Sequence, residues 1–162
     1  MKIGADFEPF FREEQVMTLT VDYDQPVSEY FLRGKYEETP HYPDARIPNT
    51  YRGVGTAVKP ILLLKLKAPA TTETILAEME RFRLRPVGAH ELLSIGAHDP
   101  IIQVKNQIVG LGAIWNGSLE GPYALALAFY LARRRVVFTW PHRSVRHEWQ
   151  TNVLFAATPL AA

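Results

Sequence analysis

Residues 138–149 read FTWPHRSVRHEW, and they crowd more chemically able side chains together than any other stretch of the chain. Trp140, His142, Arg143, Ser144, Arg146, His147, Glu148 and Trp149 lie within it. Metal binding is the first chemistry to weigh. His142 and His147 stand five residues apart with Glu148 adjacent and no H-E-x-x-H order. A tight zinc site takes three protein ligands in fixed geometry with a supporting outer layer. Arg143 and Arg146 stand beside the two imidazoles, and like charge repels a dication. No D-x-[DN]-x-[DN]-G run offers a calcium loop. The expectation is no metal and no cofactor.

Hydrolysis fares no better. Ser94, Ser118 and Ser144 are available, but no G-x-S-x-G elbow presents a serine nucleophile, and the serine of NGS at 116–118 reads as part of a turn. The stretch GVGTAVKP at 53–60 has two glycines and a lysine without the G-x-x-x-x-G-K-[ST] spacing of a phosphate loop. His90-Glu91 and His98-Asp99 border an expected helix, and both pairs read as exposed polarity with a helix-end charge effect.

Nucleic acid is a stronger alternative. Arg133, Arg134 and Arg135 fall at an expected turn, and His142, Arg143 and Arg146 follow, interleaved with Trp140 and Trp149. Arginines among stacking aromatics suit RNA or single-stranded DNA. The competing view is that the three arginines solvate a hairpin tip while the indoles are buried.

The leading reading is a recognition surface. Trp140 and Trp149 serve as anchors whose apolar faces pack on a sheet. His142, Arg143, Ser144, Arg146, His147 and Glu148 then face outward from a loop carried on strands, where recognition usually sits. Trp115 and Asn116, at the end of another expected strand, extend that surface.

The elements that must position these residues follow from periodicity and breakers. VMTLTVDY (16–23) alternates and is β-branched, so it reads as a strand. A short helix follows, with Pro26 in its first turn and Gly34 at its stop. Residues 35–55 form a long connection rich in proline and glycine. AVKPILLLKLK (57–67) reads as a second strand, with Pro60 at an edge position or a strand start. The next helix is capped by Thr71 or Thr72, and Ile75, Leu76, Met79 and Phe82 make its apolar face. Another short helix spans 89–97. Four strands close the chain at 107–115, 123–131, 134–140 and 152–158. In the second of these alanine and leucine favour helix, but Tyr123, Leu125, Leu127, Phe129 and Leu131 keep period two, and a strand is expected.

Composition narrows the class. The 162 residues suit one domain, 1–162, with a βα part over 1–100 and an antiparallel part over 101–162. Eighteen Lys+Arg against seventeen Asp+Glu leave a net charge of +1, so any polyanion role needs a local patch. The absence of cysteine removes disulfides, thiol nucleophiles and cysteine-ligated zinc. The longest apolar run, 122–132, is too short to span a bilayer as a helix, and acids interrupt the start of the chain before any signal-peptide core forms. A soluble cytoplasmic protein with no membrane contact is expected; composition leaves its oligomeric state open.

Five stretches carry a resemblance: TVDYDQPVSEYFLRGKYE (20–37), ILAEMERFRLRPVGAHELLSIGAHDP (75–100), QIVGLGAIW (107–115), FTW (138–140) and LFAAT (154–158). In this order they resemble a family of short uncharacterised bacterial proteins with DY, GKY, LRPAT..ELLAFG, IVALGS.W and RFAAVR-like segments. The resemblance covers most of the chain, and its motifs are mainly structural. It implies that the C-terminal half is C-type-lectin-like, a fold often used as a calcium-free display scaffold. The present chain has Leu154-Phe155 where the family has Arg-Phe, its last residues are TPLAA, and its two tryptophans are spaced more widely.

Together these readings give an α+β domain, βα units packed with a C-terminal antiparallel sheet. Its expected role is non-enzymatic recognition of a protein or glycan partner through the segment between Trp140 and Trp149. RNA or single-stranded DNA binding through Arg133–Arg135 and the same loop is the alternative, and an enzyme without a recognisable motif is a third.

Overall fold

The computed structural model describes residues 7, 9–40, 53–115, 123–139 and 147–160. The chain runs β1 (Phe11–Asp22), α1 (Val27–Arg33), β2 (Thr56–Leu66), β3 (Ala70–Thr71), α2 (Thr72–Arg81), β4 (Leu84–Pro86) and α3 (Ala89–His98). It continues with α4 (Ile102–Lys105), β5 (Gln107–Trp115), β6 (Tyr123–Tyr130), β7 (Arg133–Thr139), β8 (Glu148–Trp149) and β9 (Val153–Pro159). This is a mixed helix and strand architecture compatible with the expected α+β class.

Seven strands form one sheet in the order β1-β2-β9-β5-β6-β7, with β4 also paired to β9. Helices α1 and α3 lie on one face. There Leu92, Leu93 and Ile95 meet Met17, Leu19 and Val21 of β1, Ile61 and Leu63 of β2, and Leu125 and Leu127 of β6. Helix α2 covers part of the other face, where Ile75 and Met79 meet Leu62, Leu64, Val109, Ala126 and Phe155. Central strands therefore bury both faces. Ile61, Leu62, Leu63 and Leu64 are all fully buried, and this explains a continuous apolar run where a half-exposed strand would alternate. Residues 123–130 are strand for the same reason. Leu125 and Leu127 enter one core and Ala124 and Ala126 the other, so period two outweighs the helix preference of alanine and leucine.

Two expectations about layering are corrected. The N-terminal strands do not pack as a separate layer on a C-terminal sheet; they belong to the same sheet. The last four long strands are also not a simple antiparallel meander. Strands β5, β6 and β7 are one, but β9 returns to the centre, antiparallel to β2 and parallel to β5. Strand β9, buried over all but its last residue, satisfies its backbone groups better between two neighbours than at an edge. Local periodicity carries no information on which neighbour a strand takes.

Smaller elements went unread. Strand β4 pairs with β9 through Leu84↔Pro159, Arg85↔Thr158 and Pro86↔Ala157, and two-residue β3 pairs with two-residue β8. Helix α4 precedes β5 as a single turn. Pro60 lies within β2, at a level where β9 no longer pairs, and its carbonyl accepts the Thr158 hydroxyl at 2.7 Å. Thr71 caps α2, accepting from the Thr74 N–H at 3.3 Å. The turn between β6 and β7 is Leu131-Ala132, both in the left-handed region, at φ 51° and 61°. Arg133, Arg134 and Arg135 are thus residues of β7 and not of the turn.

Candidate functional site

Trp149 is the best-defined member of the expected recognition surface. Its indole is 3 % exposed, packs edge-on against Phe155 at 5.5 Å between centroids, and donates its N–H to the Thr72 hydroxyl at 2.8 Å. Backbone pairing of Trp149 with Ala70 and of Glu148 with Thr71 fixes β8 beside the capped start of α2. Glu148 is half-buried. His147, just before it, is exposed and left-handed at φ 49°. Trp115 ends β5 opposite Tyr123. Asn116, Trp140, His142, Arg143, Ser144 and Arg146 lie outside the described residues.

The three consecutive arginines have separate structural duties. The Arg134 guanidinium donates to the carbonyls of Gly34 and Gly96, each at 2.8 Å, and lies 4.8 Å from the centre of the Tyr36 ring. One cation thereby closes the carbonyl ends of both α1 and α3. Tyr36 sits beneath it with its hydroxyl donated to the Leu93 carbonyl at 2.7 Å. Burial, only partly offset by the nearby Arg134 charge, pushes that phenol well above the usual tyrosine range. Arg135 pairs with Glu38 and donates from Nε to the Tyr130 carbonyl at 3.1 Å. Arg133 is the most open, with its side chain 57 % exposed and Glu38 at 3.5 Å.

A buried polar network was missed in the sequence. The pair His90-Glu91, expected as exposed polarity, is inside: Glu91 is fully buried and His90 is 4 % exposed. Arg85 meets Glu91 with both terminal nitrogens, Nη1 to Oε1 at 2.8 Å and Nη2 to Oε2 at 2.7 Å. Tyr23 donates its hydroxyl to Oε2 at 2.6 Å, and the Gly88 N–H donates to Oε1 at 3.0 Å. Glu91 is the third residue of α3, where a carboxylate reaches back to the helix start. Burial alone would raise its carboxyl, but donors from Arg85 and Tyr23 and the guanidinium charge outweigh that and hold it below the usual carboxylate range. The Tyr23 phenol is driven far above the tyrosine range by burial and by its bond to the carboxylate. His90 Nε2 contacts the Gln25 carbonyl at 2.7 Å, and its ring meets Tyr30 edge-on. A glutamate at the third position of a helix whose Leu92, Leu93 and Ile95 are apolar, soon after an arginine, was the available signal.

Chemically, this network is saturated. Each Glu91 oxygen receives two donors, so the group has no proton to give and no lone pair aimed at a substrate. Among the described residues no three His, Asp or Glu side chains gather to hold a metal ion, and no helix is long and apolar enough to cross a membrane. The outer side of Arg85 borders a cleft of about 460 Å³, with Leu76, Leu84, Pro86 and Leu160 as apolar lining and Glu73 and Glu80 from α2. Compared with protein-family models, with curated proteins and with solved structures, the chain matches none.

Proposed function

We propose that the chain is a non-enzymatic recognition protein that binds a protein or glycan partner through the polar segment between Trp140 and Trp149. The observation that carries this reading is the seat of Trp149. An indole locked between Phe155 and Thr72 returns the segment to the sheet at one fixed point, and His147 leaves that point exposed. Irregular polar segments tied to rigid strands are where binding residues concentrate. The resemblance to a bacterial family with a C-type-lectin-like C-terminal half supports the same reading, since that fold commonly displays loops. A cytoplasmic location belongs to the proposal and fits the lack of cysteine.

The nucleic-acid alternative has less to stand on, because Arg134 and Arg135 already serve backbone carbonyls and Glu38. The enzyme alternative finds no free acid in Glu91, since both its oxygens are taken up by donors.

The test is the triple variant His142→Ala, Arg143→Ala, Arg146→Ala, screened beside the parent against immobilised glycans and candidate protein partners. The proposal expects an unchanged melting temperature and loss of the parent's binding. A variant that fails to fold rules out an exposed segment. Heparin retention that falls steeply with salt and depends on Arg133 would favour nucleic acid instead.

A further inference from the structure

A second cleft lies where β1 and β2 meet the turn before β9. It measures about 550 Å³ and is lined by Arg12, Lys65, Leu66, Lys67 and Thr151. Arg12 and Lys65 are direct cross-strand partners in the β1–β2 register. Cations placed opposite one another on neighbouring strands repel, their Cβ atoms standing about 5 Å apart. Relief is slight: Glu14 approaches Arg12 at 3.5 Å, and among the described residues Lys65 has no carboxylate within ion-pair distance. Glu14 belongs to a β-bulge at Glu13/Gln15 and lines a neighbouring cleft together with Asp99 and Lys105.

Three cations in one concavity are notable in a chain whose whole net charge is +1. Their chemistry is also one-sided. Arginine and lysine only donate, the first through a planar fork and the second as a point charge, and Thr151 adds a hydroxyl. A ligand group that fits must accept from several directions and carry negative charge.

We infer that this cleft binds a tetrahedral oxyanion, the phosphate or sulfate group of an ester. The in-register Arg12–Lys65 repulsion is then the free-state cost of a site that the bound anion relieves. Lys67, one residue beyond the end of β2, reaches the same space.

The test uses the full chain, with inorganic phosphate and sulfate titrated against chloride at equal ionic strength. Melting temperature and heat of binding are the readouts. Phosphate or sulfate should raise the melting temperature where chloride does not. Lys65→Met, which keeps the apolar stem, should melt higher than the parent without anion and lower the anion's affinity about tenfold. Arg12→Gln should weaken the anion to a similar degree. Phenyl phosphate and phenyl sulfate distinguish the source: binding of the phosphate ester falls as pH drops through about 6, where it takes up a proton, and the sulfate ester stays flat. Equal responses to all three inorganic anions, or an undiminished response in both variants, would overturn the site.

Discussion

Arg85 grips the carboxylate of Glu91 with both ends of its guanidinium, at 2.8 and 2.7 Å, and the acid it holds is fully buried. The pair joins strand β4 to the first turn of α3. Tyr23, following β1, closes it from the sheet side. Two segments close in sequence and a third 68 positions from Glu91 therefore meet at one ion.

Removing one partner should be worse than removing both. Arg85→Met leaves a buried anion without its cation, and a loss of about 3 kcal/mol or more is expected. Arg85→Met combined with Glu91→Leu should recover much of that loss, because two apolar groups need no counter-charge. Urea unfolding of the two single variants and the double variant measures the difference.

Stability should fall at both extremes of pH, for opposite reasons. The carboxyl of Glu91 is depressed in the folded state, so its contribution is present above the unfolded value of about 4.3 and is lost as acid titrates it through its lower folded value. The Tyr23 phenol is raised, so its contribution is present below the unfolded value of about 10 and fades as pH climbs above that. In Glu91→Gln the acid-side slope contributed by this group should vanish. Melting temperatures from pH 2 to 11 on parent, Glu91→Gln and Tyr23→Phe check both arms.

Gly96 makes room for Tyr36. A Cβ added to Gly96 would lie 2.7 Å from Tyr36 Cε1, and one added to Gly34 would meet the same ring at 2.7 Å from Cζ. The phenol lies between the ends of α1 and α3, under the guanidinium of Arg134. Gly96→Ala should lose about 1–3 kcal/mol through overpacking, despite the better helix propensity of alanine. Pairing it with Tyr36→Leu should return part of the loss, as read by denaturant midpoints.

The β6–β7 turn is strained by its residue types. Leu131 and Ala132 occupy left-handed positions that asparagine and glycine fill more easily, and Leu131 is 71 % exposed. Leu131→Asn with Ala132→Gly should stabilise the protein by about 1 kcal/mol, since each left-handed L-residue costs on that order. A raised melting temperature with an unchanged circular dichroism spectrum is the expected result.

Trp149 should behave as an anchor. Trp149→Ala removes a buried indole and is expected to lose about 3–5 kcal/mol. Trp149→Phe keeps most of the apolar area, loses the hydrogen bond to Thr72, and should lose far less. Thermal unfolding compares the two.

Much of the local structure was legible because it rests on short-range physics. Helix α2 followed from a threonine cap and an apolar stripe, and β6 from strict alternation on two buried faces. The aromatic character of Trp149 already argued for an anchor. The Arg133–Arg135 run, by contrast, looked uniform in sequence, although each arginine has a different set of partners in space.

What the chain alone determined is which of the longer segments are strands and helices, since backbone preference and side-chain period act within about ten residues. Only the tertiary structure decided that β9 lies between β2 and β5, that Arg134 closes two helices at once, and that Glu91 is a buried ion. Those outcomes depend on contacts between residues far apart in sequence. The stability of a charge is set by what surrounds it in space, and a neighbour 68 positions away, as Tyr23 is from Glu91, leaves no trace in local pattern.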